Sequence, residues 1–557
     1  MRLLLAAGVA TMVAAGLAAI EPPVLTPDEK AAATRILERR IRADIGFLAS
    51  DALEGRGPGG RGDRLAQDYV ASRMEAIGLE PGSSGGSWLQ PFDLVGITTE
   101  CPAVLGVSRG EEGVDLRFRE DYIAFPGVQA DVARIEAAEV VFAGYGIIAP
   151  EFQWDDYKGA DLRGKVVLVM NNDPERDEAL FAGKRRLYYG RWDYKYNTAA
   201  RQGAAGVIII HTTPSAGYKW QVVQTSWTGE QFDLPARGNE PELQVKAWAT
   251  EESSRRIARL GGHDLDALRA GAERRDFRPL PLGVRLSLTL RNTLRRTTTA
   301  NVLGRLPGSD PRLEREAVLY TAHHDHLGIK PGAIAGTDAI YNGALDNASG
   351  VAVMLAIAEA SAALPERPRR SILFAAVGAE EQGLLGSEFL ATNPPIPVGR
   401  LAANINIDGV NIWGRARDVP VIGLGKSTLD DWIRTLAETQ GRTVVPEAFP
   451  DKGSYYRSDH FNLAKVGVPA AYIDAGTEVQ GRPEGWGREA QEAWEAAHYH
   501  QPSDELSPEW NLSGALEDAR LLFYLGVKVA NATLAPSWRP GDEFEPARRK
   551  ALAGLER

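Results

Sequence analysis

Three histidines and an aspartate crowd into "AHHDHLG", residues 322–328, of a 557-residue chain that contains eight histidines in all. Imidazole and carboxylate side chains are the usual protein ligands of zinc and similar metals. In an extended strand alternate residues share a face, which pairs His323 with Asp325 and His324 with His326. Two metal readings compete. His324 with His326 would be an H-x-H site in which one strand supplies two ligands. His323 with Asp325 would be one ligand backed by a carboxylate that fixes its tautomer.

Carboxylates recur where such a site would need them. Glu380 and Glu381 follow the apolar run "SILFAAVGA", Asp408 follows "ANINI", and Asp346 sits in "NGALDNASG" just before a helical pattern. His498 and His500 stand in the proline-containing segment "AAHYHQPSDE". Adjacent acids after an apolar strand are costly to desolvate unless a cation opposes them. Two histidines with three or four acids exceed the needs of one tetrahedral zinc. They suit two metals sharing a bridging carboxylate, an arrangement that hydrolyses amides and phosphates.

The elements that must position these residues follow from periodicity. From about residue 283 strand-like and helix-like runs alternate, predicting an α/β domain over 283–535 with a mixed sheet flanked by helices. In such sheets functional groups gather beyond the carboxyl ends of the strands. Residues 96–282 change texture to short β-type runs such as "VVFAGYGII" and "GAAGVIIIH", predicting a separate β-rich insert. Residues 20–95 are largely helical around the Gly/Arg-rich "EGRGPGGRGDR" and are expected to join the 283–535 domain, and 536–557 to form a charged, peripheral tail. Met1 and Arg2, then an apolar run ending in "GLAA", predict a cleaved export signal over 1–19 and hence a periplasmic or secreted protein without stable membrane insertion. A net charge of -11 excludes a general nucleic-acid binder. Cys101 is alone, so no intrachain disulfide is possible.

Two motifs are decoys. Gly82 to Gly86 matches G-x-S-x-G without the strand-to-helix turn that exposes a nucleophile. "GKST", Gly425 to Thr428, lacks the earlier glycine of a phosphate loop.

Six stretches in order, "AHHDHLG", "NGALDNASGVA", "GAEEQGLLGS", "NIDGV", "RSDHFN" and "YHQPSDE", resemble the di-zinc aminopeptidase family of secreted bacterial leucyl-type enzymes, related to glutamate carboxypeptidase. The segments "FLASDALEGRGPG" and "VVFAGYGIIAPEFQWDDYKGADLRGKVVLVMNNDP" are similar to members with an inserted protease-associated domain. The resemblance implies a zinc-exopeptidase-like fold and two zinc ions, one held by His323 and Asp408, the other by Glu381 and His500, with Asp346 bridging. It also implies Glu380 as general base, Asp325 as support for the first histidine, Tyr499 as a partner of the tetrahedral intermediate, and a cis peptide at Asp346-Asn347. With these ligands supplied downstream, the His323/Asp325 reading fits better than the H-x-H reading, since two more imidazoles would overfill the site. His324 and His326 then become wall residues on the opposite face.

The implied chemistry is release of the N-terminal residue of peptide substrates. Glu380 would take a proton from the attacking water and return it to the leaving amine. A carboxypeptidase of the glutamate-carboxypeptidase type and a catalytically inactive binding module are the alternatives, the second requiring lost ligands.

Overall fold

The computed structural model describes residues 24–555 apart from 178, 179, 184, 239, 331, 333 and 335, so the expected export signal over 1–19 lies outside the described residues. At its centre are five strands: β1 (Leu280–Leu306), β2 (Ala317–His323), β3 (Ser371–Val377), β4 (Leu401–Asn406) and β5 (Ala470–Tyr472). They lie in the spatial order β5-β4-β2-β3-β1. The first four run parallel, and β1 pairs antiparallel with β3. Every residue of β2, β3 and β4 is buried, which is why their sequences read as continuous apolar runs rather than alternating ones.

Alternation along β2 feeds two separate cores. Val318, Tyr320 and Ala322 enter the larger one, which they share with α1 (Arg61–Ile77), α2 (Ser349–Ala362) and α4 (Ser513–Asn531); α3 (Trp486–His498) lies between the latter two in sequence. Ala317 and Leu319 enter the opposite core with Leu390 and Leu463. The helix α2 is buried almost all round, as an apolar helix without a polar face must be. No described helix is long and apolar enough to cross a membrane.

The insert is joined to this core by continuous strands. The expected boundaries 95/96 and 282/283 fall inside strand Leu89–Glu100 and inside the 27-residue β1, which pair with each other from Leu89 to Glu100. The first part of β1 pairs with Val132–Phe142, and three parallel strands follow outward: Val166–Met170, Gly206–His211 and Val245–Thr250. One sheet therefore runs through both parts of the molecule, and the insert meets the catalytic side again downstream. There the Tyr188 ring packs edge-on against Phe461 at 4.9 Å, and its backbone N–H donates to Glu543 at 3.2 Å.

The tail is not peripheral. Trp538 and Phe544 are buried among Tyr455, Tyr456 and Phe461, and the Trp538 indole donates to the Gly467 carbonyl at 3.0 Å. The tail's charge misled the reading, because its two aromatic residues decide where it lies.

Close packing of α4 on β2 depends on Gly526. A Cβ there would stand 1.8 Å from the Tyr320 hydroxyl, which donates to the Leu522 carbonyl at 2.8 Å. Gly526→Ala is expected to destabilise the fold by about 1–3 kcal/mol through overpacking. A denaturation midpoint equal to wild type would contradict this contact.

Candidate metal centre

Parallel pairing of β2 with β3 and β4 brings three carboxyl ends side by side. His323 ends β2. The chain leaving β3 turns through Ala379, which has φ 55°, and presents Glu380 and Glu381. Asp408 follows β4 by two residues. Asp346 lies in the turn before α2, and its peptide bond to Asn347 is cis. His500 follows α3 by two residues in a left-handed conformation, φ 55°, and Tyr499 stacks on its ring at 3.9 Å with its own side chain open to solvent.

The expected ligands converge in two sets that share one residue. His323 Nε2 is 3.1 Å from Asp346 Oδ1 and 3.3 Å from Asp408 Oδ1. On the other side His500 Nε2 is 3.2 Å from Asp346 Oδ2 and 3.2 Å from Glu381 Oε2. Two ligands bound roughly 2.0–2.2 Å from one tetrahedral zinc stand about 3.3 Å apart. The spacing of the donor atoms thus fits metal ions, and the two oxygens of Asp346 face different histidines.

Charge points the same way. Asp325, Glu380 and Asp459 are enclosed beside these carboxylates. Burial raises the Glu380 pKa well above the carboxylate range, and Glu381, Asp408 and Asp459 add to that against the opposing pull of His323. Burial alone would depress the histidines. The carboxylates outweigh it, so His323 is raised well above its ordinary value and His500 is pushed up to about 11. Without metal, protons on these imidazoles supply positive charge that the carboxylates demand.

A further shell holds the turns in place. Asp325 acts differently from expectation: its carboxylate is 3.8 Å from His323 Nδ1, which instead faces the Asp325 backbone carbonyl at 3.2 Å. The carboxylate accepts the backbone N–H groups of Glu380 at 3.0 Å and Glu381 at 3.3 Å, tying β2 to the acid pair. Asp504 does the same for the bridging position, accepting from the N–H groups of Leu345 at 2.8 Å and Asp346 at 3.0 Å. Ser458 donates to Asp408 Oδ2 at 2.6 Å. Arg56, fully buried, donates to the carbonyls of Leu48, His324, Asn342 and Gly343.

Of the histidines assigned to the opposite wall, His324 does lie there, with Nε2 3.1 Å from Asp63 on α1. His326 does not. The chain has left the strand by then, its N–H donating to the Arg56 carbonyl at 3.3 Å, and strand alternation no longer applies. Its Nδ1 lies 2.6 Å from Glu381 Oε1, and its donor atoms fall within 4.8 Å of those of Asp346 and Glu381. Sequence reasoning also gave no role to Arg56, Asp504 and Ser458, although the quoted motifs contain all three. Nor did it single out Arg457, an exposed residue whose guanidinium interacts with Tyr499, Tyr218, Glu495 and Glu380.

Known proteins resemble the chain on both of its parts. Residues 301–523 match the model of peptidase family M28, and residues 130–240 match that of the PA domain. The aminopeptidase YwaD of Bacillus subtilis (strain 168) is 32% identical over 195 residues, 34% of this chain and 36% of that protein. The aminopeptidase NAALADL1 of Mus musculus is 32% identical over 183 residues, 28% of this chain and 22% of that protein. The matched stretches thus span well under half the length of these curated relatives. The solved aminopeptidase from Aneurinibacillus sp. strain AM-1 aligns over 92% of this chain and 97% of its own, with 20% identity and a TM-score of 0.47. On its two family matches, the chain carries a peptidase family M28 region over residues 301–523 and a PA domain region over residues 130–240.

Proposed function

We propose that the protein is a di-zinc exopeptidase, an aminopeptidase that removes the N-terminal residue of peptides. The observation that carries this reading is the posture of Asp346, one oxygen 3.1 Å from His323 and the other 3.2 Å from His500, as a carboxylate bridging two ions would stand. His323 and Asp408 would complete one ion's protein ligands, Glu381 and His500 the other's. Zinc held there would activate a water and polarise the scissile carbonyl.

The remaining chemistry belongs to side chains. Glu380, held by its N–H on Asp325 and crowded by other carboxylates, is suited to take a proton from water and pass it to the leaving amine. Tyr499, stacked on His500 with its side chain open to solvent, would donate to the oxyanion that develops. Residues 20–95 and 283–535 form the catalytic unit in this reading, and 96–282 the insert. The chain is exported, residues 1–19 being its signal.

Direction of cleavage rests on the relatives, which are named aminopeptidases. A carboxypeptidase would need a cation free for the substrate's carboxylate, and Arg457 in the cleft is the observation that keeps this second reading in play. An inactive binding module would have lost ligands, and none of the expected ones is missing.

Amino-acid p-nitroanilides should therefore be cleaved and N-blocked peptides with a free C-terminus should not; the opposite preference would overturn the aminopeptidase reading. Glu380→Gln should keep its zinc while turnover falls by about 10²–10⁴-fold, and full activity would remove Glu380 from the mechanism. Because the His500 pKa stands at about 11 without metal, its imidazole is protonated at neutral pH and must lose that proton to bind an ion. Zinc uptake should accordingly release protons and weaken as pH falls. Calorimetry in buffers of different ionisation enthalpy measures this, and a heat independent of buffer would refute it.

A further inference from the structure

His326 is a histidine whose position has no use in the chemistry above. It is fully buried, and among the described residues its Nε2 has no hydrogen-bond partner. Its Nδ1 stands 2.6 Å from Glu381 Oε1, while the other oxygen of the same carboxylate stands 3.2 Å from His500 Nε2. The two distances describe different relations. The longer one matches two ligands of a common ion, about 3.3 Å apart. The shorter is a charge-assisted hydrogen bond, with no space for an ion between the atoms. An ionised carboxylate only accepts, so Nδ1 carries the proton and has no lone pair left for a metal.

We propose that His326 is a positioning residue whose Nδ1–H holds Glu381 Oε1, so that Glu381 offers only Oε2 to the second metal position. Both the ring and the carboxylate are fixed from elsewhere. The Gly343 backbone lies flat against the ring: a Cβ on Gly343 would come 2.6 Å from His326 Cγ and Cδ2. Arg56 anchors that contact, accepting the His326 N–H with its carbonyl and donating to the Gly343 carbonyl at 2.9 Å. The backbone of Glu381 is tied by its own N–H to Asp325. A side chain held at both ends presents one oxygen in one direction. Were the hydrogen bond lost, Glu381 could rotate or bind through both oxygens, changing the number of ligands at one ion and leaving the other unaltered.

This inference rests on the di-metal reading, and the test separates the two. Zinc is titrated into the full-length metal-free protein against a chromophoric chelator, and cobalt(II) is added stepwise with its visible spectrum recorded. Wild type should take up two equivalents. His326→Leu should bind the second about 10–100-fold more weakly, the usual cost of removing a partner of a metal ligand. The first equivalent should be unchanged, and the spectrum of the second cobalt altered. His326→Asn, which retains an N–H near the place of Nδ1, should recover most of the lost affinity and the wild-type spectrum. That rescue would not follow from a merely space-filling role. Second-site binding in His326→Leu equal to wild type overturns the proposal. Complete loss of the second ion in both variants also overturns it, by making His326 a ligand itself. Fewer than two equivalents in wild type would instead overturn the di-metal reading, and this inference with it.

Discussion

Negative charge brought out of water is the constraint around which this molecule is arranged. Asp325, Asp346, Glu380, Glu381, Asp408 and Asp459 gather beyond the carboxyl ends of three adjacent parallel strands, where a carboxylate is expensive unless something positive answers it. Two of the expected ligands, His323 and His500, are driven toward protonation by these neighbours. Cations of higher charge relieve the same repulsion with better geometry, and so the site reads as a place for metal.

Fixing such a cluster takes more structure than the ligands themselves. The positioning groups act mainly on backbone. Asp325 and Asp504 each clamp two successive N–H groups, and Arg56 gathers four carbonyls from three places along the chain. Burial lowers the Arg56 pKa to about 10, with Asp325, Asp504, Asp346 and Glu381 working against that, so the guanidinium is itself held in place by the charge it helps to arrange. The segment that carries it, between the first helices, has left-handed backbone at Glu54, Gly55 and Arg56, the price of bringing a remote part of the chain under the site.

The insert belongs to the same mechanical unit. Because β1 runs unbroken from the insert into the catalytic sheet, no flexible linker separates the two parts. The two parts also meet through Tyr188, Phe461 and Glu543, and Glu543 also accepts from the Tyr456 hydroxyl and pairs with Lys426. The tail thereby steadies the turn that ends in Arg457 at the cleft.

Much of this was legible in the linear chain, and the reason is local. Apolar runs ending in His323, Glu380-Glu381 and Asp408 mark parallel strands buried on both faces, and the carboxyl ends of such strands are adjacent whatever the details of the loops. The ordered motifs then pointed to the expected ligands and to the family whose model matches residues 301–523. What the chain could not disclose lies where periodicity ends. Strand alternation rightly sent His324 to the far wall and wrongly sent His326 after it, because the backbone leaves the sheet between them to meet Arg56, some 270 residues earlier in sequence. Charge composition likewise suggested a peripheral tail, although Trp538 and Phe544 are buried in the core beside Tyr455 and Phe461. Sequence alone determined which residue types stand at the ends of which strands, since that depends on short-range pattern. Only the tertiary structure decided which oxygen of each carboxylate faces which imidazole, since that depends on contacts between segments far apart in the chain.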